Sequence, residues 1–377
     1  MAILVLTLPK RDLNVAKYMT WVQQHGYRDR VKQLIDLVRL GRRRGFGANE
    51  YFLYAFFAKE RPVEAAKNYV STRSSRRLSL TLSPFGINGQ HGLFNDKALT
   101  GVLLRSLGFP TSVDLAIYHP TRAFPHATGL SCKQDIQRFL GDAQNYPCFG
   151  KPLNLSRSIG AVSLLDVSDN AVEIADGRVV PLDELATEIA TQFPDGYLFQ
   201  QCLQPHQRLR AITGPTAATL RVVTLRTSTD ISCLYTVQKL PPVGAMTDGF
   251  ASHGANAMCW VDHTTGTIRR AQNMGRMNIN ALDTSPHGDL PLNDYSLPDV
   301  PAAVDICQSV HALMPQHGVL GFDIVLSDQG PVINEINALP IHAIFQRAAD
   351  QGIMNDERSE TINDAIAETR RLANALG

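Results

Sequence analysis

The sequence predicts an α+β protein that begins with a helical region. Between residues 10 and 70, apolar residues recur at the three- and four-residue spacing of amphipathic helices. From residue 96 onward, short runs with strand character alternate with helical stretches. Hydrophobic residues make up 44% and charged residues 19% of the 377 residues. This balance is typical of globular proteins and excludes a disordered or fibrous chain. The clearest helical set is Val31, Leu34, Ile35 and Val38.

A run of arginines marks the expected end of one N-terminal helix. Arginines occupy residues 42–44 and are bracketed by Gly41 and Gly45. Glycine commonly terminates helices, and basic side chains oppose the negative C-terminal end of the helix dipole. Further helices are predicted near residues 50–58 and after Pro62, because proline is favoured in a first helical turn.

The charge is unevenly distributed along the chain. Residues 1–95 contain 16 Lys and Arg against 6 Asp and Glu, a net charge of +10, whereas the other residues contain 20 against 29, a net charge of −9. Such asymmetry indicates either a surface for an anionic partner or a solvated helical face docked on the acidic remainder. Because aromatic residues do not interleave with the arginines, the pattern does not favour nucleic-acid binding.

The spacing of the cysteines and the N-terminal residues indicate the cellular compartment of the protein. No pair of cysteines forms a C-x-x-C motif, which argues against a disulfide scaffold and a structural zinc site and favours buried thiols in a reducing compartment. The apolar residues 1–8 lack the basic flank and cleavage site of a signal peptide. No stretch approaches the roughly 20 apolar residues of a transmembrane helix. We therefore expect a soluble, cytoplasmic chain. The six cysteines are Cys132, Cys148, Cys202, Cys233, Cys259 and Cys307.

Beyond residue 96 the pattern predicts eight strands and four helices. Residues 240–300 are rich in Gly, Pro, Asn, Asp and Ser and are expected to be loop-rich. The predicted strands are 146–151, 159–166, 197–203, 219–226, 231–239, 257–262, 322–326 and 332–337. The predicted helices are 96–107, 182–193, 302–314 and 359–376.

The strongest local signal is a predicted hairpin over residues 318–337. Two apolar runs flank Asp328-Gln329-Gly330, a favoured three-residue hairpin loop. Folding about this loop places Asp323 opposite Glu335, within one residue if a bulge is present, and Asn337 shares the face of Glu335. Two adjacent carboxylates repel each other and lose solvation, and a cation between them relieves both effects. Hard oxygen donors of this kind favour magnesium. In the alternative interpretation, the acidic side chains face solvent at the ends of the strands.

Two further segments carry polar groups at the ends of strands. Lys151 ends an apolar run and is followed by a small polar loop that closes at Gly160. A lysine and a Ser/Gly loop in this position can neutralise and cover a phosphate, although a lysine at a strand end is commonly just solvated. Arg221 lies in an otherwise apolar strand and needs an anionic partner, either a ligand or a structural salt bridge.

Together and in this order, these segments resemble the ATP-grasp superfamily, and within it the branch called sugar-transfer-associated ATP-grasp. The resemblance covers about residues 90–345, and its most specific part is the Asp…Glu-x-Asn set. The matching segments are Asn95-Asp96-Lys97 at the start of a helix, Gly150-Lys151-Pro152 with its Ser/Gly loop, the 197–201 connector, Thr219-Leu220-Arg221-Val222-Val223-Thr224, and Gly321-Phe322-Asp323 with Asn334-Glu335-Ile336-Asn337.

The resemblance implies an ATP-grasp fold, in which two α+β lobes clasp ATP. It divides the chain into a basic, mostly helical N-terminal region (1–95), a first lobe with a phosphate-covering loop (96–199), and a second lobe with a magnesium site and a C-terminal helix (200–377). The implied nucleotide-binding residues are Lys97, Lys151, Ser156, Ser158, Gly160, Gln200, Gln201 and Cys202. The implied magnesium ligands are Asp323, Glu335 and Asn337, and the implied catalytic residues are Arg221 and Lys151.

The resemblance also implies a reaction and its substrates. The superfamily's usual reaction forms an acyl phosphate from ATP and a carboxylate, which an amine or thiol then attacks; small molecules derived from amino acids or sugars are the expected substrates. Substrate contacts are expected from Lys239, His253, Asn256 and Arg276. Many relatives carry Glu in the connector, where this chain has Gln200 and Gln201. This difference puts the usual contacts with the ribose of ATP in question. The alternatives are a kinase for a small metabolite, or a nucleotide-binding scaffold whose basic N-terminal region docks an anionic partner.

Overall fold

A computed structural model of the chain has the predicted α+β architecture, with one helical region and two sheets. It describes residues 2–7, 13–59, 61, 63–84, 91–249, 257–276 and 280–376. The N-terminal helices are α1 (Val15–Gln24), α2 (Arg30–Arg44), α3 (Ala48–Leu53), a 3₁₀ helix (Val63–Asn68) and α4 (Thr72–Leu82). As predicted, α2 ends at the arginine run, and Gly45 follows it with a φ of 67°, a left-handed conformation that glycine adopts without strain.

The first sheet has seven strands in the order β2-β1-β7-β3-β4-β5-β6. Strands β1 and β2 are parallel, and the other neighbours in this sheet are antiparallel. Its strands are β1 (Asp114–Tyr118), β2 (Thr128–Leu130), β3 (Cys148–Pro152), β4 (Val162–Ser168), β5 (Ala171–Ile174), β6 (Val179–Pro181) and β7 (Tyr197–Gln201). The helices in this part of the chain are α5 (His91–Asn95), α6 (Lys97–Ser106), α7 (Lys133–Leu140) and α8 (Leu182–Gln192).

The second sheet has six strands in the order β11-β10-β9-β8-β12-β13, and all neighbours are antiparallel. Its strands are β8 (Thr219–Arg226), β9 (Ile231–Leu240), β10 (Ala257–Val261), β11 (Ile268–Asn273), β12 (Val319–Ser327) and β13 (Gly330–Asn337). The helices in this part are α9 (Gln207–Thr213), α10 (Val300–Ala312), α11 (Ala343–Ala348) and α12 (Asp356–Leu376).

All eight predicted strands are present, and their ends differ from the prediction by three residues or fewer. Strands β1, β2, β5, β6 and β11 were not predicted. The expectation of loops over residues 240–300 is wrong for Ile268–Asn273, whose two arginines obscure the apolar alternation. Short strands of this kind depend on neighbouring strands more than on their own composition.

Side-chain alternation gives the second sheet two different faces. Phe322 and Ile324 join a core with residues of α10, whereas Val223 and Val237 join a core with residues of α11 and α12. Asp323 lies between Phe322 and Ile324 and therefore points to the second face. This face carries the predicted acidic residues, and it is the face on which the cleft opens.

The N-terminal region has an aromatic core and packs on the second lobe. Tyr51, Phe52, Phe56 and Phe57 are buried in that core. Gln346 on α11 donates to Tyr54 Oη at 2.9 Å. In contrast, the start of the chain packs on the first lobe, because two backbone N–H groups at residues 3–4 donate to Glu188 on α8.

All six cysteines are free, and three are buried: Cys148, Cys259 and Cys307. Cys132 is exposed, so the expectation of burial is wrong for it. Within the described ranges, no helix combines the length and the apolar character needed to cross a membrane.

Candidate active site

A large cleft opens between the two sheets. Its volume is about 1910 Å³, roughly twice the upper end of the 300–1,000 Å³ range of typical ligand pockets. The cleft therefore has room for more than one ligand. Eleven of the twelve predicted site residues line it: Lys97, Lys151, Ser156, Ser158, Gln200, Gln201, Cys202, Arg221, Asp323, Glu335 and Asn337.

A row of charged side chains crosses the second sheet at this cleft. Asp323 on β12 lies in register with Arg221 on β8 and with Glu335 on β13, as the predicted hairpin requires. Arg221 donates through Nε and Nη2 to the two oxygens of Asp323, at 2.8 and 2.9 Å. Lys239 on β9 extends the row, since its Nζ lies 3.2 Å from Asp323 Oδ1. The anionic partner that Arg221 requires is therefore a neighbouring carboxylate.

The hairpin between β12 and β13 contains a bulge next to this row. Asp323 pairs with Glu335 but the next residue, Ile324, pairs with Ile333, so Asn334 is left without a partner in the ladder. A bulge of this kind redirects a side chain at a sheet edge. Asn334 Oδ1 accepts a hydrogen bond of 3.0 Å from Lys151 Nζ, and this bond joins the two sheets across the cleft.

The turn of the hairpin is shorter than predicted. Ser327 pairs directly with Gly330, so only Asp328 and Gln329 lie in the turn. Gly330 opens β13 with a φ of 102°, a conformation that residues with a Cβ rarely adopt. The glycine was predicted as the last loop residue, and it is the first strand residue instead.

Two lysines from the first lobe lie close to the acidic residues. The pKa of Lys151 is lowered to about 8, because burial and the charge of Lys97 together outweigh the opposing charges of Glu335, Asp114 and Asp323. Burial also lowers the pKa of Lys97. Lys97 donates through Nζ to the carbonyl groups of residues 153 and 155. Two buried cations side by side are unfavourable in the protein alone, and an anion between them relieves this.

The acidic residue at the centre of the row is ionised. Burial alone raises the pKa of Asp323, but the positive charges of Arg221 and Lys239 outweigh burial and lower it to about 2. The same contact raises the pKa of Arg221 above its ordinary value, although burial opposes this. The pair therefore remains charged throughout the physiological range.

The 156–160 loop covers one side of the cleft with a constrained backbone. Arg157 and Ser158 have φ values of 62° and 60°, which are uncommon for residues other than glycine and are concentrated at functional sites. Ser158 packs on Gly249 of the second lobe so closely that a Cβ at Gly249 would lie 2.0 Å from Ser158 Oγ. The loop thus bridges the two lobes.

Gly160 lies behind this loop and does not line the cleft. Its N–H donates to the carbonyl of Val5 at 2.8 Å, and its own carbonyl accepts from Tyr197 Oη at 2.7 Å. A Cβ at Gly160 would lie 2.4 Å from the ring of Phe193. These contacts give Gly160 an anchoring position under the loop, and its expected contact with phosphate stays a prediction.

The predicted adenine connector lies in the middle of the first sheet. The Gln200 side chain donates to Asp114 Oδ1 at 2.8 Å, and Asp114 also accepts from Arg105 at 2.6 Å. The N–H of Gln201 donates to a carbonyl at residue 113. Cys202 follows the strand, outside the ladder. The Gln200 side chain is thus held by a buried acid, whereas the residues that follow the strand, Cys202, Leu203 and Gln204, line the cleft.

The donor set at Asp323, Glu335 and Asn337 fits magnesium in one specific respect. Within the described residues, no three His, Cys, Asp or Glu side chains form a metal-binding group. The buried Asn337 Nδ2 has no hydrogen-bond partner there, and rotating the amide would place its oxygen, a magnesium donor, in the same position. Four cations and three carboxylates lie around this point. Their net positive charge favours an anionic ligand, and that ligand would carry its metal ion into the site. The cations are Lys97, Lys151, Arg221 and Lys239, and the carboxylates are Asp248, Asp323 and Glu335.

One part of the cleft wall comes from the N-terminal region. Trp21 stacks on His25 with ring centroids 4.1 Å apart, and both rings line the cleft with Tyr18 and Tyr27. Arg276, one of the expected substrate contacts, donates to Asn49 Oδ1 of α3 at 2.7 Å. His253 and Asn256, the other loop residues in that expectation, lie outside the described residues.

Sequence reasoning did not assign a role to three further residues of the site. Asn334 was part of the quoted motif, but only the observed bulge brings it to Lys151. Asp248 accepts from the N–H and the hydroxyl of Thr219 at 2.7 and 2.6 Å and lies 3.5 Å from Lys239. Asp114 lies 86 residues from its partner Gln200. No local sequence pattern predicts contacts between residues that are this far apart in the chain.

Comparison with known proteins identifies the family. A family model described as sugar-transfer associated ATP-grasp matches residues 91–362. The chain belongs to this ATP-grasp family. Its α+β fold with two lobes around a cleft is therefore the ATP-grasp fold, as the sequence motifs predict. No curated protein sequence matches the chain significantly.

Solved structures similar to this ATP-grasp chain include several ligases. The D-alanine–D-alanine ligase of Coxiella burnetii is 13% identical over 75% of this chain and 60% of its own, with a TM-score of 0.39. That of Bacillus anthracis, complexed with ATP, is 15% identical over 76% and 70%, with a TM-score of 0.40. The L-amino acid ligase of Bacillus licheniformis is 14% identical over 69% and 48%, with a TM-score of 0.34. The match thus spans less than two thirds of the Coxiella chain.

Proposed function

We propose that the protein is an ATP-dependent ligase that joins a carboxylate to an amine or a thiol through an acyl phosphate. The observation that carries this proposal is that Lys97, Lys151, Arg221 and Lys239 line the cleft between the lobes together with Asp248, Asp323 and Glu335. Phosphoryl transfer requires mainly positioning and charge neutralisation of the reacting phosphate. The 3.0 Å bond between Lys151 and Asn334 supports the proposal, because it holds the lysine of one lobe against the acidic hairpin of the other.

The first lobe would bind the nucleotide. Lys97 and Lys151 are half-buried and buried cations that an anion would stabilise, so we assign them to the phosphates. Ser156 and Ser158 line the cleft in the covering loop and are assigned to the same phosphates. The backbone at the end of β7, at Gln201 and Cys202, is assigned to adenine, and Gln200 would support it through Asp114.

The second lobe would hold magnesium through Asp323, Glu335 and Asn337. When bound, the ion would neutralise charge on the transferred phosphoryl group. Arg221 uses Nε and Nη2 to hold Asp323, which leaves Nη1 outside this contact. We assign Nη1 to an oxygen of the transferred phosphoryl group or of the substrate carboxylate.

The proposed reaction has two balanced steps. A carboxylate oxygen of the substrate attacks the γ-phosphorus of ATP, and the bond to the β-phosphate oxygen breaks, which gives an acyl phosphate and ADP. The amine or thiol then attacks the acyl carbon, the carbon–oxygen bond to phosphate breaks, and inorganic phosphate leaves while the attacking group loses a proton.

The volume and lining of the cleft suggest where the substrates bind. A nucleotide on the lysines leaves the part lined by Trp21, Tyr27 and Arg276 for a second molecule. Aromatic faces stack on rings and apolar groups, and an arginine binds a carboxylate. We therefore assign a carboxylate derived from an amino acid or a sugar to this part of the cleft.

Hydroxylamine trapping tests the acyl phosphate directly. The full chain is incubated with MgATP, hydroxylamine and pools of amino acids or sugar acids; phosphorus NMR and a hydroxamate assay follow the products. We expect ADP, inorganic phosphate and a hydroxamate in equal amounts with at least one pool. A phosphoester in place of inorganic phosphate would identify a kinase and contradict the ligase proposal.

A matched pair of variants controls this experiment. Glu335→Gln should abolish hydroxamate formation, because it removes a proposed magnesium ligand. Asp328→Asn changes a carboxylate in the turn of the same hairpin and should leave the reaction unchanged. Nucleotide binding without turnover in any pool would favour a scaffold over an enzyme.

A further inference from the structure

Helix α2 exposes an apolar stripe that packing in the described chain does not cover. The exposed fractions of its four members are 69% for Val31, 58% for Leu34, 59% for Ile35 and 47% for Val38. At 100° per residue these positions fall within about 100° of one another on the helix surface. Apolar residues at this spacing usually face a protein core, but in α2 they face solvent.

The opposite side of α2 is the side that packs on the N-terminal core. Gln33, Asp36 and Leu40 are buried and are centred about 180° from the stripe. Asp36 is the only acidic residue of α2, and it is paired with Arg28. The helix is thus anchored through one face and presents the other to solvent.

Basic residues surround the stripe. On the helical wheel, Lys32 and Arg39 flank one side, Arg30 flanks the other, and Arg42 continues the line of the stripe by one turn. Of these, Lys32 pairs with Asp29 and Arg39 with Glu64. The three arginines at residues 42–44 are exposed and form no ion pair with any described residue.

We propose that α2 docks the protein on an anionic membrane surface. An apolar stripe bordered by Lys and Arg is the pattern of a helix that lies in the lipid interface, with the apolar side chains among the acyl chains and the cations among the headgroups. A second copy of the chain is a poorer occupant, because two α2 helices would bring their basic side chains together. The helix would hold the cleft beside the membrane surface.

Vesicle co-sedimentation tests the proposal with the full chain. The probes are vesicles of phosphatidylcholine alone and of phosphatidylcholine with 30% phosphatidylglycerol. We expect binding to the anionic vesicles that is at least about tenfold stronger than to the neutral ones and that weakens as salt increases. No binding to either vesicle, or equal binding that does not depend on salt, would overturn the proposal.

Exposed substitutions separate docking from folding. Leu34→Ser with Ile35→Ser, and separately R42E with R43E and R44E, should each reduce binding to anionic vesicles by about tenfold or more. Val179→Ser changes a residue of similar exposure, 66%, on strand β6 and should bind like the wild type. Each variant should keep the wild-type melting temperature. A dimer in solution that the Leu34/Ile35 variant converts to a monomer would assign the stripe to a second copy and contradict the proposal.

Discussion

Lys151 is a buried cation whose environment we expect to change when a nucleotide binds in the cleft. It is buried, hydrogen-bonded to Asn334 and close to the cation of Lys97. A phosphate beside it would add the countercharge that the site lacks. Its pKa of about 8 in the protein alone should therefore rise when a nucleotide binds.

This shift predicts a pH dependence of nucleotide affinity. Binding of an anion requires protonated Lys151, so the affinity for MgADP should be constant below pH 8 and should fall above it, by up to about tenfold per pH unit. Calorimetric titration between pH 6.5 and 9.5 measures this. Lys151→Arg stays charged over the whole range, so its profile should be flat above pH 8. An equally steep decline in that variant would assign the titration to another group.

Asp323 and Glu335 are neighbours with different contributions to stability. Asp323 lies between Arg221 and Lys239 and is 5% exposed. Asp323→Asn therefore leaves the buried Arg221 without its carboxylate and leaves Lys239 with Asp248 alone. We expect this change to lower the free energy of unfolding by about 3 kcal/mol. Glu335→Gln alters a half-buried carboxylate and should change it by less than about 0.5 kcal/mol.

Denaturant unfolding and turnover assays together check this contrast. Both variants should lose the ligase reaction, but only Asp323→Asn should shift the unfolding midpoint. If both variants are destabilised equally, the charged row acts as one structural unit. That result would contradict the assignment of Glu335 to ligand binding.

At the level of elements, the 156–160 loop and the segment at Gly249 form one of the contacts between the lobes. Gly249→Ala would place a Cβ against Ser158 Oγ, and the loop would have to withdraw from the cleft. We expect KM for ATP to rise about tenfold, because the loop no longer covers the phosphates. Steady-state kinetics at saturating carboxylate measures this.

A second substitution makes this prediction specific. Ser158→Gly removes the clashing side chain and suits a φ of 60°. In the Gly249→Ala background it should restore a substantial part of the loss, which a double-mutant cycle detects as coupling. Additive effects would mean that Gly249 acts through contacts other than Ser158.

The elements differ in how far the sequence predicts them. The β12–β13 hairpin was predictable because its strands are adjacent in the chain and alternation fixes which side chains share a face. The charged row was not, since it also needs β8 to pair with β12 and β9 to pair with β8, and strand order depends on contacts across the whole lobe. Helix α2 shows a third case: periodicity predicts an apolar face at Val31 and Ile35, but it does not show whether any segment covers that face.

At the scale of the whole molecule, the N-terminal region is tied firmly to the second lobe. Arg61 pairs with Asp350 at 2.6 Å, and Ser79 donates to the carbonyl of Pro340 at 2.8 Å. Gly352 approaches Asn68 so closely that a Cβ there would lie 2.1 Å from a carbonyl oxygen. The helical region therefore acts as part of the cleft wall.

This arrangement predicts that Trp21 affects the substrate and not the nucleotide. Trp21 belongs to the part of the cleft wall that the N-terminal region contributes, whereas Lys97 and Lys151 belong to the first lobe. Trp21→Ala should therefore raise KM for the carboxylate about tenfold and leave the Kd for MgADP unchanged. The chain contains two tryptophans, and the other, Trp260, packs edge-on against Phe345. In a Trp260→Phe variant Trp21 is the single tryptophan. Its fluorescence should change on addition of the carboxylate identified by trapping and stay constant with MgADP alone. A response to MgADP of equal size would place the nucleotide beside the aromatic wall and reverse the proposed orientation of the two ligands.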